Sequence, residues 1–132
     1  MRTIRAQTGN VFLAYREVAD MDRLIEHWKQ AHSPVYSFTA SDEITHRIWV
    51  VDMRETVEAI THIFAEQVPA TYIADGHHRA ASAAKVADQL PDSDDAKFFL
   101  TTLFPANQLA ILDYNRVVKD LNGHSDGDLL SA

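Results

Sequence analysis

Thr71-Tyr72-Ile73-Ala74-Asp75-Gly76-His77-His78-Arg79-Ala80-Ala81-Ser82-Ala83-Ala84 is the stretch on which the fold turns. Thr71 to Ala74, β-formers and small residues after Pro69, read as a buried strand. Gly76 supplies backbone freedom at a bend, or lets a ligand approach the main chain. From Arg79 to Leu90 the small and apolar residues Ala80, Ala83, Ala84, Ala87 and Leu90 fall at helical spacing. Their short side chains let that helix lie close on a sheet. The polar turn therefore stands at a helix N-terminus, where unpaired N–H groups and the helix dipole attract anions. Arg79 in the first turn opposes the dipole, a conflict that a bound phosphate or carboxylate would remove. Asp75 can cap the helix or bind a metal. His77 and His78 add two imidazoles, side chains able to take up or give up a proton. A plain cap and two solvated histidines would also produce this pattern. The crowding of Asp, Gly, two His and Arg into one strand-to-helix junction favours a site.

Toward the C-terminus, Pro91-Asp92-Ser93-Asp94-Asp95 reads as a solvated acidic loop, without the spaced glycine and closing glutamate of a calcium loop. Ala96 to Phe104 reads as a strand buried on both faces, and Gln108 to Leu112 as a second short strand. Asp113-Tyr114-Asn115-Arg116 is then a polar cluster at a strand end, where ligand contacts are common. Val117, Val118 and Leu121 suggest a short helix ending at Asn122-Gly123, and Ser125 to Ala132 the start of another.

Toward the N-terminus, Arg2 to Thr8 read as part of an upstream element, and Val11 to Tyr15 as a strand. Asp20 is a candidate N-cap for a helix carrying Met21, Leu24, Ile25 and Trp28 on one face, which should stop by Ser33. Val35 to Thr39 and Ile44 to Asp52 alternate as two strands of a hairpin about Ser41-Asp42-Glu43. His46 falls on its apolar face as a core residue. Arg47 falls on the other face beside Trp49, placed to stack there or to reach a substrate anion. Asp52 and Glu55 have capping-box spacing ahead of a helix marked by Val57, Ile60, Phe64 and Val68, with His62 off its stripe. The order is that of an α/β or α+β domain, a mixed sheet with helices packed on it.

The chain has 132 residues, enough for a single domain with a real core. A formal net charge of −7 argues against broad binding to nucleic acid or an anionic membrane. Without cysteine there is no disulfide framework and no thiolate metal site. No apolar run approaches spanning length and no signal peptide is seen, so a cytoplasmic location is expected.

The Ala-Asp-Gly-His-His-Arg-x-x-(x)-Ala pattern at 74–79 and beyond resembles the signature of a prokaryotic domain-of-unknown-function family, number one thousand and fifteen. Thr8-Gly9-Asn10-Val11-Phe12, Thr45-His46-Arg47-Ile48-Trp49 and Ile111 to Val118 are similar to further segments of it. Its members are longer, which implies that these residues form an internal piece. More distantly, the turn is similar to the Gly-x-x-Arg box of the ParB/sulfiredoxin-like superfamily, in which the box follows a strand, opens a helix and cradles nucleotide phosphates. That superfamily includes sulfiredoxin, CTP-binding ParB proteins and an ADP-dependent free-serine kinase. The resemblance places Gly76 and Arg79 at the phosphate-binding positions. His77 falls where sulfiredoxin has its cysteine, so sulfinic-acid reduction by that route is excluded here.

The expectation is a phosphate- or nucleotide-binding domain, phosphotransferase- or NTPase-like, with Mg²⁺ accompanying the nucleotide. Gly76 and Arg79 would bind the anion, with Arg47, Asn115 and Arg116 as further contacts. His77 or His78 would stabilise charge or move a proton, and Asp75 would act as base or Mg²⁺ ligand. Neither a Walker loop nor a Rossmann fingerprint is present. Two alternatives stand beside this: a metal-dependent hydrolase using Asp75, His77, His78 and His46, and a non-catalytic nucleotide-sensing module.

Overall fold

The computed structural model describes residues 6–131. Five strands, β1 (Val11–Tyr15), β2 (Tyr36–Thr39), β3 (Thr45–Ile48), β4 (Thr71–Asp75) and β5 (Thr101–Pro105), form two sheets. Four helices, α1 (Ala19–Ala31), α2 (Arg54–Gln67), α3 (His77–Gln89) and the short α4 (Asp126–Ser131), complete the regular structure, with single 3₁₀ turns at Asp94–Lys97 and Ala106–Gln108. The fold is mixed α/β. The larger sheet has the order β4-β1-β5, with β4 antiparallel and β5 parallel to the central β1. The smaller sheet is the antiparallel hairpin β2–β3.

β1 is the spine because its odd residues are apolar and its flanks are both paired. Val11, Leu13 and Tyr15 are buried while Phe12 and Ala14 are half-buried, the two-residue period of a strand between layers. Met21 and Trp28 of α1, Ile63 of α2, Ala83 of α3 and Pro105 at the end of β5 join Val11, Leu13 and Tyr15 in the buried apolar set. α1 packs on α2, and the alanine-rich α3 lies against β1, as its small side chains allow. Tyr15 meets Phe64 with ring centroids 5.1 Å apart, and Phe12 meets Phe104 edge-on at 5.0 Å.

Burial, and then the nearby Asp22 carboxylate, push the Tyr15 hydroxyl above its ordinary range. The folded state thus favours the protonated phenol. Its contribution is complete below the unfolded value near 10 and is lost as pH rises through the higher folded value. Wild-type chain is therefore expected to lose more stability than Tyr15→Phe between about pH 9 and about pH 11 in urea titrations. Equal losses would sever the effect from Tyr15.

Several sequence expectations are corrected. β4 forms where expected, but all five of its residues are exposed, because it contacts mainly β1 along one edge and no helix packs substantially over its faces. The expected strand from Ala96 begins only at Thr101. It is not buried on both faces, and Phe98 and Leu100 lie exposed. Pairing explains the start: Val11 donates to Leu100 O at 3.0 Å and stands opposite Thr101, so nothing before this point has a strand to pair with. Gln108–Leu112 forms no strand, and 117–121 forms no helix. The second hairpin strand is confined to β3, and every residue of β2 and β3 is exposed, His46 included; its ring stacks on Phe38 at 5.2 Å. Neither expected cap forms: Val18 and Met53, not Asp20 or Asp52, precede α1 and α2, with no side-chain cap bond. The reading of Arg2 to Thr8 as an upstream element lies largely outside the described residues.

The surface is open. Its accessible area is 11144 Å², where scaling for a compact monomer of 14.9 kDa gives about 7,000 Å². No helix among the described residues is long and apolar enough to cross a membrane.

Candidate functional site

The junction between β4 and α3 is built by one glycine. Gly76 has φ 91° and ψ 27°, the left-handed region that residues with a Cβ seldom enter. It turns the chain from the outer strand into α3 and is itself the N-cap, with no side-chain cap bond. The first intrahelical bond runs from Ala80 N to Gly76 O at 2.9 Å. The amides of His77, His78 and Arg79 precede that bond, so their own helix cannot satisfy them.

Arg79 folds back over this bend. Its Nη2 donates to Asp75 Oδ2 at 2.6 Å, an i,i+4 pair. A Cβ placed on Gly76 would stand 3.0 Å from Nε and from Nη2, and one on Gly9 would stand 3.5 Å from Cδ. The guanidinium is thus held over one glycine and beside another, at the helix mouth. The conflict between Arg79 and the dipole is met by a neighbour: Asp75, just before the N-cap, supplies the negative charge favoured there. Asp75 neither caps the helix by hydrogen bond nor stands free. Its pairing leaves the rest of Arg79's five-donor fork.

The same sheet end gathers a second layer. Gly9 and Asn10 lead into β1, and the Asn10 amide donates to Thr102 Oγ1. Gln7 bridges to the chain ahead of β5, donating to Phe98 O at 2.9 Å and accepting from Leu100 N at 2.5 Å. Thr101 Oγ1 is buried without a hydrogen-bond partner. Sequence reasoning gave Gly9 no site role. The signal was present in the Gly-Asn step ahead of a strand, but its neighbour Arg79 is remote in the chain.

His77 and His78 are exposed at successive helical positions, which point about 100° apart. The His78 carbonyl accepts from Ser82 Oγ at 2.7 Å. Among the described residues no group of three or more His, Asp or Glu is placed to hold a metal ion. The hydrolase alternative therefore lacks a gathered donor set there.

A family model described as "Protein of unknown function (DUF1015)" matches residues 1–132. The chain belongs to this family. No curated protein and no solved structure matches it.

Within this DUF1015 chain, the structure unites Asp75, Gly76, His77, His78 and Arg79 and leaves the other expected contacts apart. Arg47 is exposed on β3, opposite Ser37. The cation over Trp49 is Lys29, 5.8 Å from the ring centroid, rather than Arg47. Asn115 and Arg116 are exposed in a stretch without regular structure. Among the described residues no hydrogen bond or ion pair joins any of these three to the 75–79 turn.

Proposed function

We propose that the mouth of α3 is a receptacle for a phosphate group, and that this DUF1015 chain is a nucleotide-binding domain of the phosphotransferase or NTPase kind. The observation that carries the reading is Arg79, laid over a left-handed Gly76 beside three amides that α3 cannot satisfy. A phosphate seated there would accept from these amides, gain from the dipole and share the guanidinium fork. The Asp75–Arg79 pair is no obstacle. Both side chains are substantially exposed, at 73% and 45%, and such pairs contribute about 0.2–1 kcal/mol.

Transfer of Arg79 from Asp75 to a phosphate would release the carboxylate at the moment the anion binds. One free carboxylate beside a nucleotide fits Mg²⁺, which takes one or two carboxylates plus phosphate oxygens. Bound there, the metal would supply charge neutralisation between phosphate oxygens. Asp75 would then hold that ion or accept a proton from an attacking hydroxyl. His77 and His78, exposed in the first turn, would donate to phosphate oxygens or carry a proton. The likeness to the Gly-x-x-Arg box supports the same residues. The partner change at Arg79 would equally serve a sensing module, and a turnover assay divides the two: binding with no product favours the sensor.

The test is thermal shift and calorimetry with ADP, ATP and CTP, each with Mg²⁺. At least one nucleotide is expected to stabilise the wild type, and Arg79→Ala to weaken it about tenfold or more while melting within a few degrees of wild type. Unchanged affinity in the variant would overturn the assignment of Arg79.

A further inference from the structure

Away from the 75–79 turn, a cavity of about 370 Å³ opens between α1, α2 and the end of β5. Its volume lies near the lower end of the roughly 300–1,000 Å³ of small-molecule sites. The walls include Met21 and the rings of Tyr15, Phe64 and Phe104. Asp22 and Glu26 also line it, one helical turn apart on α1.

The two carboxylates differ. Glu26 is matched by Lys29 at 2.5 Å, whereas Asp22 has no basic partner among the described residues. Asp22 is half-buried at an apolar wall, where an unanswered charge is unfavourable. The second observation is Tyr15. The residue is only 5% exposed and lines the cavity, and its hydroxyl makes no hydrogen bond to a described residue while its oxygen stays open to solvent. A donor entering the cavity can therefore reach that oxygen. An apolar, ring-walled space with one unneutralised carboxylate and one unmatched hydroxyl has a definite complement.

We infer that this cavity is a binding site for a small organic cation, a primary amine carried on an aromatic or similarly flat apolar body. The ammonium donates to the Asp22 carboxylate and the Tyr15 oxygen. The rings of Phe64 and Phe104 cover the apolar part and add cation–π attraction. Anionic ligands are rejected by the unpaired Asp22 carboxylate, the reverse of the preference at the mouth of α3. The inference stands independently of the nucleotide reading, since none of these residues belongs to the 75–79 turn.

The probe is phenethylamine, with 2-phenylethanol and 3-phenylpropionate as its neutral and anionic counterparts, titrated into the whole chain by calorimetry and by proton–nitrogen NMR. Phenethylamine is expected to bind and to shift the amides of Tyr15, Asp22 and Phe64. The alcohol should bind about tenfold more weakly or worse, and the carboxylate not measurably. Asp22→Asn should bring the amine's affinity down to the alcohol's. Because that variant could fail to fold, the wild-type comparison of amine with alcohol stands as a separate arm. Equal binding of amine and alcohol to the wild type overturns the cation assignment. Absence of amine binding, or shifts confined to other surfaces, overturns the site.

Discussion

Trp28→Ala is expected to lower the melting temperature by about 12–20 °C. Truncating a buried aromatic costs about 3–5 kcal/mol, and a chain of this length loses roughly 4 °C per kcal/mol. Trp28 is 5% exposed and is among the largest residues of the buried set. Its ring stacks on His32 at 3.7 Å with planes 16° apart. Its indole N–H donates to Val50 O at 3.2 Å. Next to it, Trp49 Nε1 donates to His32 O at 3.0 Å. The β2–β3 hairpin, exposed on every residue, is thereby fastened to the C-terminal end of α1 by two indole N–H bonds, one to Val50 O and one to the His32 carbonyl.

That fastening sets a local signature for the same variant. Amide exchange should accelerate in β2 and β3 beyond the global loss, because the hairpin has little apolar cover of its own. Trp28→Phe keeps a ring in the core but removes the donor to Val50 O. It is expected to cost about 1–3 kcal/mol and to loosen the hairpin in proportion. A melting temperature for Trp28→Ala within a few degrees of wild type would mean that the buried set is organised elsewhere.

The indole anchors also show what could be read in advance. Met21, Leu24, Ile25 and Trp28 mark α1 by spacing alone, and the structure buries Met21 and Trp28 on that face. β1 was legible for a similar reason, an unbroken apolar run behind Gly9-Asn10. What the residues did not disclose is which strands obtain neighbours. Thr71–Ala74 and Phe98–Leu100 both have strand-forming composition, yet β4 is an outer strand and Phe98–Leu100 lie ahead of β5 without forming strand. Ile111 and Leu112 have the composition of a strand and no partner, and they stay exposed. Burial depends on such long-range pairing, which local pattern cannot contain. At the site, the strand, bend and helix were legible from Gly76 and the alanines. The Asp75–Arg79 pair has ordinary i,i+4 spacing, but Asp75 precedes the helix, where spacing rules do not guarantee contact. Gly9 was not legible as a site residue, because only the tertiary fold carries it to Arg79.

Gly76→Ala should combine two effects that other glycines allow to be separated. At φ 91° any Cβ is strained, by about 1–2 kcal/mol. The added methyl also meets Arg79 Nε and Nη2 at 3.0 Å, and the guanidinium is the mobile partner, so it leaves the mouth. Gly123→Ala, at φ 83° with nothing within 4 Å, carries the strain alone. Gly9→Ala meets Arg79 Cδ at 3.5 Å without backbone strain and should be close to neutral, within about 0.5 kcal/mol. In denaturant melts Gly76→Ala and Gly123→Ala are therefore expected to lose similar stability. In nucleotide titrations only Gly76→Ala should fall, by about the tenfold or more expected of Arg79→Ala. The double variant Gly76→Ala/Arg79→Ala should bind little worse than either single one, since each removes the same cation from the same place. Additive losses would mean that Gly76 acts on the ligand through the backbone, without the guanidinium, and the receptacle would have to be rebuilt from the amides of His77, His78 and Arg79 alone.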